Sequence, residues 1–206
     1  MATVTIRPVR SIVELEQVYD LAGRQFDPPL SAHDGTRRCR ELVEHFEDDS
    51  PLMLVAEEDS EPIGAALAFR TTPGTVTLRI IGVIPAARGA GIGRALVEAV
   101  EETAHELDVR RIDLGADDQA DFYLHLGFSA DLFLQWAYAP ERYDEQVEEL
   151  LRGPLMGLDA WRASYEGVPQ LRVRLSRVDR EFRNQVDALV DGAHVGFVMG
   201  KDLASV

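Results

Sequence analysis

The chain has 206 residues, with 36 acidic against 21 basic side chains and a formal net charge of −15. That field repels nucleic acids and anionic membrane surfaces and attracts cationic amines, and it is equally what solubility alone produces, since Glu98, Glu101, Glu102 and Glu106 lie on the polar side of one helix. Its 46% hydrophobic and 28% charged residues suit a globular protein long enough for a substantial core, as one domain or one domain with a small appendage.

No apolar run approaches the roughly 20 residues of a membrane span, and Met1-Ala2-Thr3 opens neither a signal nor a transit peptide pattern. A cytoplasmic location is therefore expected. Thr3 to Pro8 alternates as a strand. Ser11-Ile12-Val13-Glu14 is a capping box that opens a helix with Ile12, Leu15, Val18, Tyr19 and Ala22 on one side. Asp27-Pro28-Pro29 breaks that pattern, and a second helix is predicted from Thr36 to Phe46, with Cys39, Leu42, Val43 and Phe46 facing inward. The only cysteine, Cys39, sits in Arg37-Arg38-Cys39-Arg40 and excludes an internal disulfide. Flanking arginines lower a thiol pKa, but an incidental cysteine is the plainer reading. The five histidines, at 33, 45, 105, 125 and 194, lack metal-ligand spacing, so no metal site is expected.

Pro51 to Glu57 and Ile63 to Arg70 read as hairpin strands around Glu58-Asp59-Ser60-Glu61. Thr75 to Val83 is the next strand. Its apolar positions Val76, Leu78 and Ile80 alternate before the phase slips to Ile81 and Val83, which predicts a β-bulge. This strand runs into Ile84-Pro85-Ala86-Ala87-Arg88-Gly89-Ala90-Gly91-Ile92-Gly93-Arg94 and then into a helical pattern. Glycines at 89, 91 and 93 let backbone N–H groups approach one anion, toward which the positive end of the following helix points.

Spacing separates the phosphate-binding loops. A Walker-type loop needs Lys followed by Ser or Thr after its last glycine, where this chain has Arg94 and Ala95. A dinucleotide turn needs two residues between its second and third glycines and an acid about 20 positions later; here there is one residue, although Asp113 lies near the right distance. A glycine-rich turn without a ligand is the remaining plain reading.

The pattern Arg88-x-x-Gly91-x-Gly93 after Val83-x-Pro85 resembles the acyl-CoA pyrophosphate loop of the Gcn5-related N-acetyltransferase superfamily. Further along, Asp121-Phe122-Tyr123-Leu124-His125-Leu126-Gly127-Phe128 resembles that family's "FYxxxGF" signature, with Phe122, Tyr123, Gly127 and Phe128 matching by position. The resemblance implies an α/β (α+β) fold with a central mixed, mostly antiparallel sheet flanked by helices. It also implies acetyl-CoA as cosubstrate and direct acyl transfer to a primary amine of a small molecule or peptide.

By residue, the resemblance implies that N–H groups from Arg88, Gly89, Ala90, Gly91, Ile92, Gly93 and Arg94 hold pyrophosphate. Val83 and Ile84 would bond the pantetheine and polarise the thioester carbonyl, and Tyr123 would protonate the departing thiolate. A phenol with pKa near 10 is a donor at neutral pH. An apolar helix face ending at a glycine cap suffices to explain Phe122 and Phe128. The family's frequent Asn has no counterpart at Ala116, near Asp117 and Gln119, which puts contacts from this segment to the pantetheine in doubt. No carboxylate lies on the strand from Thr75 to Val83, so Asp113 and Glu57 are the candidate bases, each with a structural alternative. Arg94 is equally a surface arginine. An acyl-CoA-binding regulatory protein without transfer is the competing function.

Leu96, Val100, Ala104 and Leu107 then define a helix, Arg111 to Gly115 a short strand, and Ser129 to Tyr138 a strand closing a core of residues 1–138. Residues 139–206 form a smaller extension. A helix runs from Glu141 to Arg152 and stops at Gly153-Pro154. It is followed by a β-α-β unit made of Leu171–Leu175, a helix capped by Asp179, and His194–Met199. Too small to hold a core alone, this extension is expected to pack on the core or on a homodimer partner.

Overall fold

The computed structural model describes residues 3–26, 32–115, 119–165 and 167–203. The expected break at Asp27-Pro28-Pro29, and Ala116 with Asp117, lie outside the described residues. Two compact units emerge, Met1–Asp113 with Asp202–Val206, and Leu114–Lys201. This division differs from the expected boundary at residue 138, because the strand from Ser129 takes both of its partners from later in the chain.

In the first unit β1 (Val4–Pro8), β2 (Met53–Glu58), β3 (Glu61–Thr72) and β4 (Thr75–Val83) pair antiparallel in sequence order, and β4 pairs parallel with the start of β5 (Arg111–Gly115). The β2–β3 hairpin turns on Asp59 and Ser60, whose φ values of 51° and 70° give the reversal that a two-residue turn requires. The helix α1 (Ile12–Gly23) starts as its capping box predicts, the Ser11 hydroxyl accepting from the Glu14 N–H at 3.2 Å. The Glu14 carboxylate reaches back one residue further than expected, to the Arg10 N–H at 2.6 Å, and joins Glu57 in holding Arg7. Leu15, Val18, Tyr19 and Ala22 are buried as predicted; Ile12, the first helical residue, is instead exposed at the helix end.

The second helix, α2 (Ala32–Glu44), begins before the expected Thr36 and ends before Phe46, which opens the short α3 (Phe46–Asp49). Gly35 makes that first turn read as loop in sequence, since intrinsic propensity is weak and packing overrides it. One core cluster lies where α1 and Leu42 of α2 cover Met53, Val55, Ala65, Leu67, Phe69 and Ile80. The helix α4 (Ile92–Glu106) packs on β2, β3 and β4, burying Ile92, Leu96, Val97, Val100 and Ala104.

The expected bulge is present and falls at Arg79. Leu67 faces Ile80 while the next residue, Ala68, faces Leu78, so Arg79 has no opposite number on β3. The extra residue reverses the faces of β4. Beyond it Ile80 belongs to the cluster under α1, whereas Val83 sits beside Leu96 of α4.

In the second unit β6 (Ser129–Gln135) lies between β9 (His194–Asp202) and β8 (Val168–Leu175), antiparallel to both, and β7 (Ala160–Tyr165) pairs with β8. The expected β-α-β unit is thus present in its parts, with α7 (Arg180–Asp187) capped by Asp179, but its two strands flank β6. The additional strand β7 escaped prediction. It is an edge strand with few β-branched residues. Around Trp136, Leu132, Leu134, Val147, Leu150, Leu171, Val173 and Phe197 form this unit's core, and the Trp136 indole N–H donates to Gln146 at 2.9 Å. The helices α5 (Ala120–His125) and α6 (Tyr143–Arg152) complete it.

Candidate active site

The parallel pairing of β4 with β5 covers only Thr75 with Arg111, Val76 with Ile112 and Thr77 with Asp113. Beyond Thr77, β4 continues to Val83 without that neighbour, so one edge of its backbone is open. Which groups face the opening follows from the other edge. Val83 lies opposite Gly64, and the Ile84 N–H crosses to the Ile63 carbonyl at 2.9 Å. In antiparallel pairing this makes Val83–Gly64 a non-hydrogen-bonded pair, so the N–H and C=O of Val83 point away from β3 toward the open edge. Of the two strand residues singled out in sequence, Val83 therefore presents its amide, whereas Ile84 has its N–H on Ile63 and its carbonyl on the Ala87 N–H at 3.0 Å.

The chain then makes a single 3₁₀ turn (Pro85–Ala87) and an exposed loop, Arg88 to Gly91. Gly89 and Gly91 have φ of 81° and 82°, in the left-handed region. Gly91 is the N-cap of α4, and the first intrahelical bond runs from the Ala95 N–H to the Gly91 carbonyl at 3.0 Å. The N–H groups of Ile92, Gly93 and Arg94 thus precede the helical ladder, and the N-cap, a glycine, has no side chain to cap them. The first turn of α4 carries no acidic residue, so nothing there opposes the helix dipole in attracting an anion. A Cβ built on Gly89 or Gly91 meets no atom within 4 Å, so nothing crowds the loop at either glycine.

The arginines around the loop differ. The Arg88 guanidinium folds back, its Nε donating to the Val83 carbonyl at 3.0 Å and its Nη2 to Gln25 at 3.4 Å. It thereby links the loop to the open strand edge. Arg94 is exposed and leans toward Glu98, 4.0 Å away along the helix. Both candidate bases are engaged. Asp113 accepts from Arg111 at 2.8 Å, and Arg111 also reaches Asp202 at 2.9 Å; Glu57 is held by Arg7.

Tyr123, in the second unit, sits on α5 and is buried. Burial pushes its phenol well above the ordinary value of 10.0, so it remains a donor throughout the neutral range. The helix ends just after it. The Gly127 N–H donates to the Leu124 carbonyl and the Phe128 N–H to the Tyr123 carbonyl, closing a Schellman motif, and the Lys201 ammonium donates to the Leu126 carbonyl at 2.8 Å. Lys201 has no signal near the motif in sequence, because β9 brings it there.

Parallel strands that part after three pairs, with exposed amides and a helix N-terminus at the end of one of them, form an anion-binding opening of the kind that the resemblance implies. A model of the acetyltransferase (GNAT) family matches residues 15–128, and the chain belongs to that family. It is 37% identical over 76 residues to "GCN5-related N-acetyltransferase 2, chloroplastic" of Arabidopsis thaliana, a match covering 36% of this chain and 30% of that protein. Against "Histone acetyltransferase TAP1" of Glycine max it is 37% identical over 75 residues, covering 36% of this chain and 32% of that protein. The chain thus spans about a third of the length of these curated relatives.

Among solved structures, the fold resembles a GCN5-related N-acetyltransferase from Kribbella flavida, with a TM-score of 0.57 and 15% identity over 98% of this chain and 71% of that one. It also resembles Ard1 from Thermoplasma volcanium, with a TM-score of 0.52 and 15% identity over 85% and 99% of the two chains.

Proposed function

We propose that this protein transfers an acetyl group from acetyl-CoA directly to a primary amine of a small molecule or peptide. The observation that carries this reading is the loop of exposed amides at the end of a strand whose parallel neighbour has left it. Pyrophosphate is held by N–H groups from Arg88 to Arg94, and Arg88 moves from the Val83 carbonyl toward phosphate. The freed Val83 edge aligns the pantetheine, with Ile84 supporting the turn through its bonds to Ile63 and Ala87. The acceptor nitrogen attacks the thioester carbonyl, the C–S bond breaks, and Tyr123 donates its proton to the departing thiolate. The ammonium form of the acceptor gives up its proton to water, because the carboxylate of Asp113 is engaged with Arg111.

That same engagement of Asp113 and Glu57 favours the second reading, an acyl-CoA-binding regulatory protein. Thiol release from acetyl-CoA over a panel of amines separates the two, since tight acetyl-CoA binding with no turnover by any amine supports the regulatory protein alone. The exposed apolar side chains Met156, Leu158 and Leu189 support a homodimer formed through residues 139–206, which sedimentation of the intact chain tests.

A further inference from the structure

Within the first unit, α1, α2 and β4 bring together a set of polar groups that neither the loop nor the fold uses. Tyr19 of α1 is only 7% exposed, packed in the core cluster beside Cys39, and its hydroxyl is buried without a hydrogen-bond partner among the described residues. The Nε–H groups of Arg38, on α2, and Arg79, on β4, are buried and equally without partners among the described residues. Arg79 is paired through its other end with Glu41 of α2, which also receives exposed Arg37 at 3.5 Å. Both guanidinium charges act on the Tyr19 phenol, but burial prevails and keeps it protonated, as a donor. The other acids near this group are Glu16 and Asp20 of α1, which face Cys39, and Asp20 is paired with Arg24.

Three buried donors without acceptors are costly in a folded protein unless something accepts from them. Their location says what that is. Arg79 is the bulge residue, separated from the last parallel pair, Thr77 with Asp113, only by Leu78, so it stands where β4 and β5 part. Taken together, Arg24, Arg37, Arg38 and Arg79 against Glu16, Asp20 and Glu41 leave a single positive charge, which matches a monoanion. We propose that Tyr19, Arg38 and Arg79 bind a carboxylate carried by the acceptor, so that the acceptors are amino acids or peptides with a free carboxyl group. The inference rests on the acyl-transfer reading and narrows its substrate class. The chain's acidic field attracts the ammonium end, and this local site selects the other end.

The test pairs amino acids with their α-amides, and free-acid peptides with C-terminally amidated ones, as acceptors for the full chain. Turnover is followed by thiol release and binding by calorimetry without acetyl-CoA. The expected result is that acids are favoured about tenfold or more in both kcat/KM and affinity, the range of charge-assisted hydrogen bonds. Tyr19→Phe and Arg38→Gln should raise the KM for acids about tenfold, leaving the amides, kcat and the KM for acetyl-CoA unchanged. Equal binding of acids and amides, or equal loss of both in the variants, overturns the carboxylate site. Selective binding of acids without turnover overturns the transfer reading and retains the site.

Discussion

The backbone N–H of Phe128 donates to the carbonyl of Tyr123 at 3.1 Å, and their rings meet edge to face with centroids 5.7 Å apart. The Gly-Phe pair that ends the sequence motif therefore has a physical purpose. Glycine at 127, with φ of 84°, lets the helix stop, and Phe128 folds back to fix the backbone and ring of Tyr123. The motif is a device for holding one phenol.

Replacing Tyr123 with Phe removes the oxygen and keeps the edge-to-face ring contacts with Phe122 and Phe128. The kcat for thiol release should fall about 100-fold, the scale of general acid catalysis, with the melting temperature nearly unchanged. An unaltered kcat would remove Tyr123 from the mechanism.

The same phenol makes stability depend on pH. Its pKa is raised in the folded protein by burial, so the folded state keeps a proton that the unfolded state loses above about 10. The contribution is fully present below that pH and is lost as pH rises toward the folded value, at up to ~1.4 kcal/mol per pH unit. Urea unfolding from pH 9 upward should show this slope, and Tyr123→Phe should reduce it.

At Gly91, the N-cap of α4 with φ of 82°, alanine should cost about 1–2 kcal/mol through the left-handed backbone alone, because its Cβ meets nothing. The shift of backbone needed to relieve that strain moves the adjoining amides of Ile92 and Gly93, so affinity for acetyl-CoA should fall about tenfold by calorimetry, the worth of a phosphate hydrogen bond.

Arg88→Ala removes the guanidinium that links the loop to the Val83 carbonyl. The side chain is exposed, which limits the effect. The KM for acetyl-CoA should rise about threefold to tenfold, with kcat unchanged and a weaker dependence of KM on salt.

Asp113→Asn separates a base from a structural partner. With its carboxylate on Arg111, the residue's loss should lower the melting temperature while changing kcat/KM less than about threefold and leaving the pH–rate profile in place. A fall of about 100-fold or more would restore Asp113 as the base.

Several elements were legible because their signals are local. The Ser11 cap, the Asp59-Ser60 turn, the Thr75–Val83 strand and the glycine loop depend on backbone conformations that particular residues favour nearby in sequence. The bulge was legible as a phase slip, but its position at Arg79 was not, since only pairing with β3 says which residue lacks an opposite. Ile84 looked equivalent to Val83 until the Ile63 carbonyl was seen to take its amide. The strand β7 was missed because an edge strand needs little of the apolar pattern that marks strands in sequence.

The sequence by itself determined the family and carried the two motifs on which the proposed chemistry rests: three glycines at fixed spacing before a helix, and a tyrosine held by a Gly-Phe cap. These are contiguous motifs, encoded by backbone preference. Only the tertiary structure decided the parting of β4 from β5, the open edge at Val83, the engagement of Asp113 by Arg111, and the gathering of Tyr19, Arg38 and Arg79. Each of those joins residues distant in the chain, and the physical reason is the same. Sheet register and helix packing set which polar groups find partners, and neither is written in any one segment.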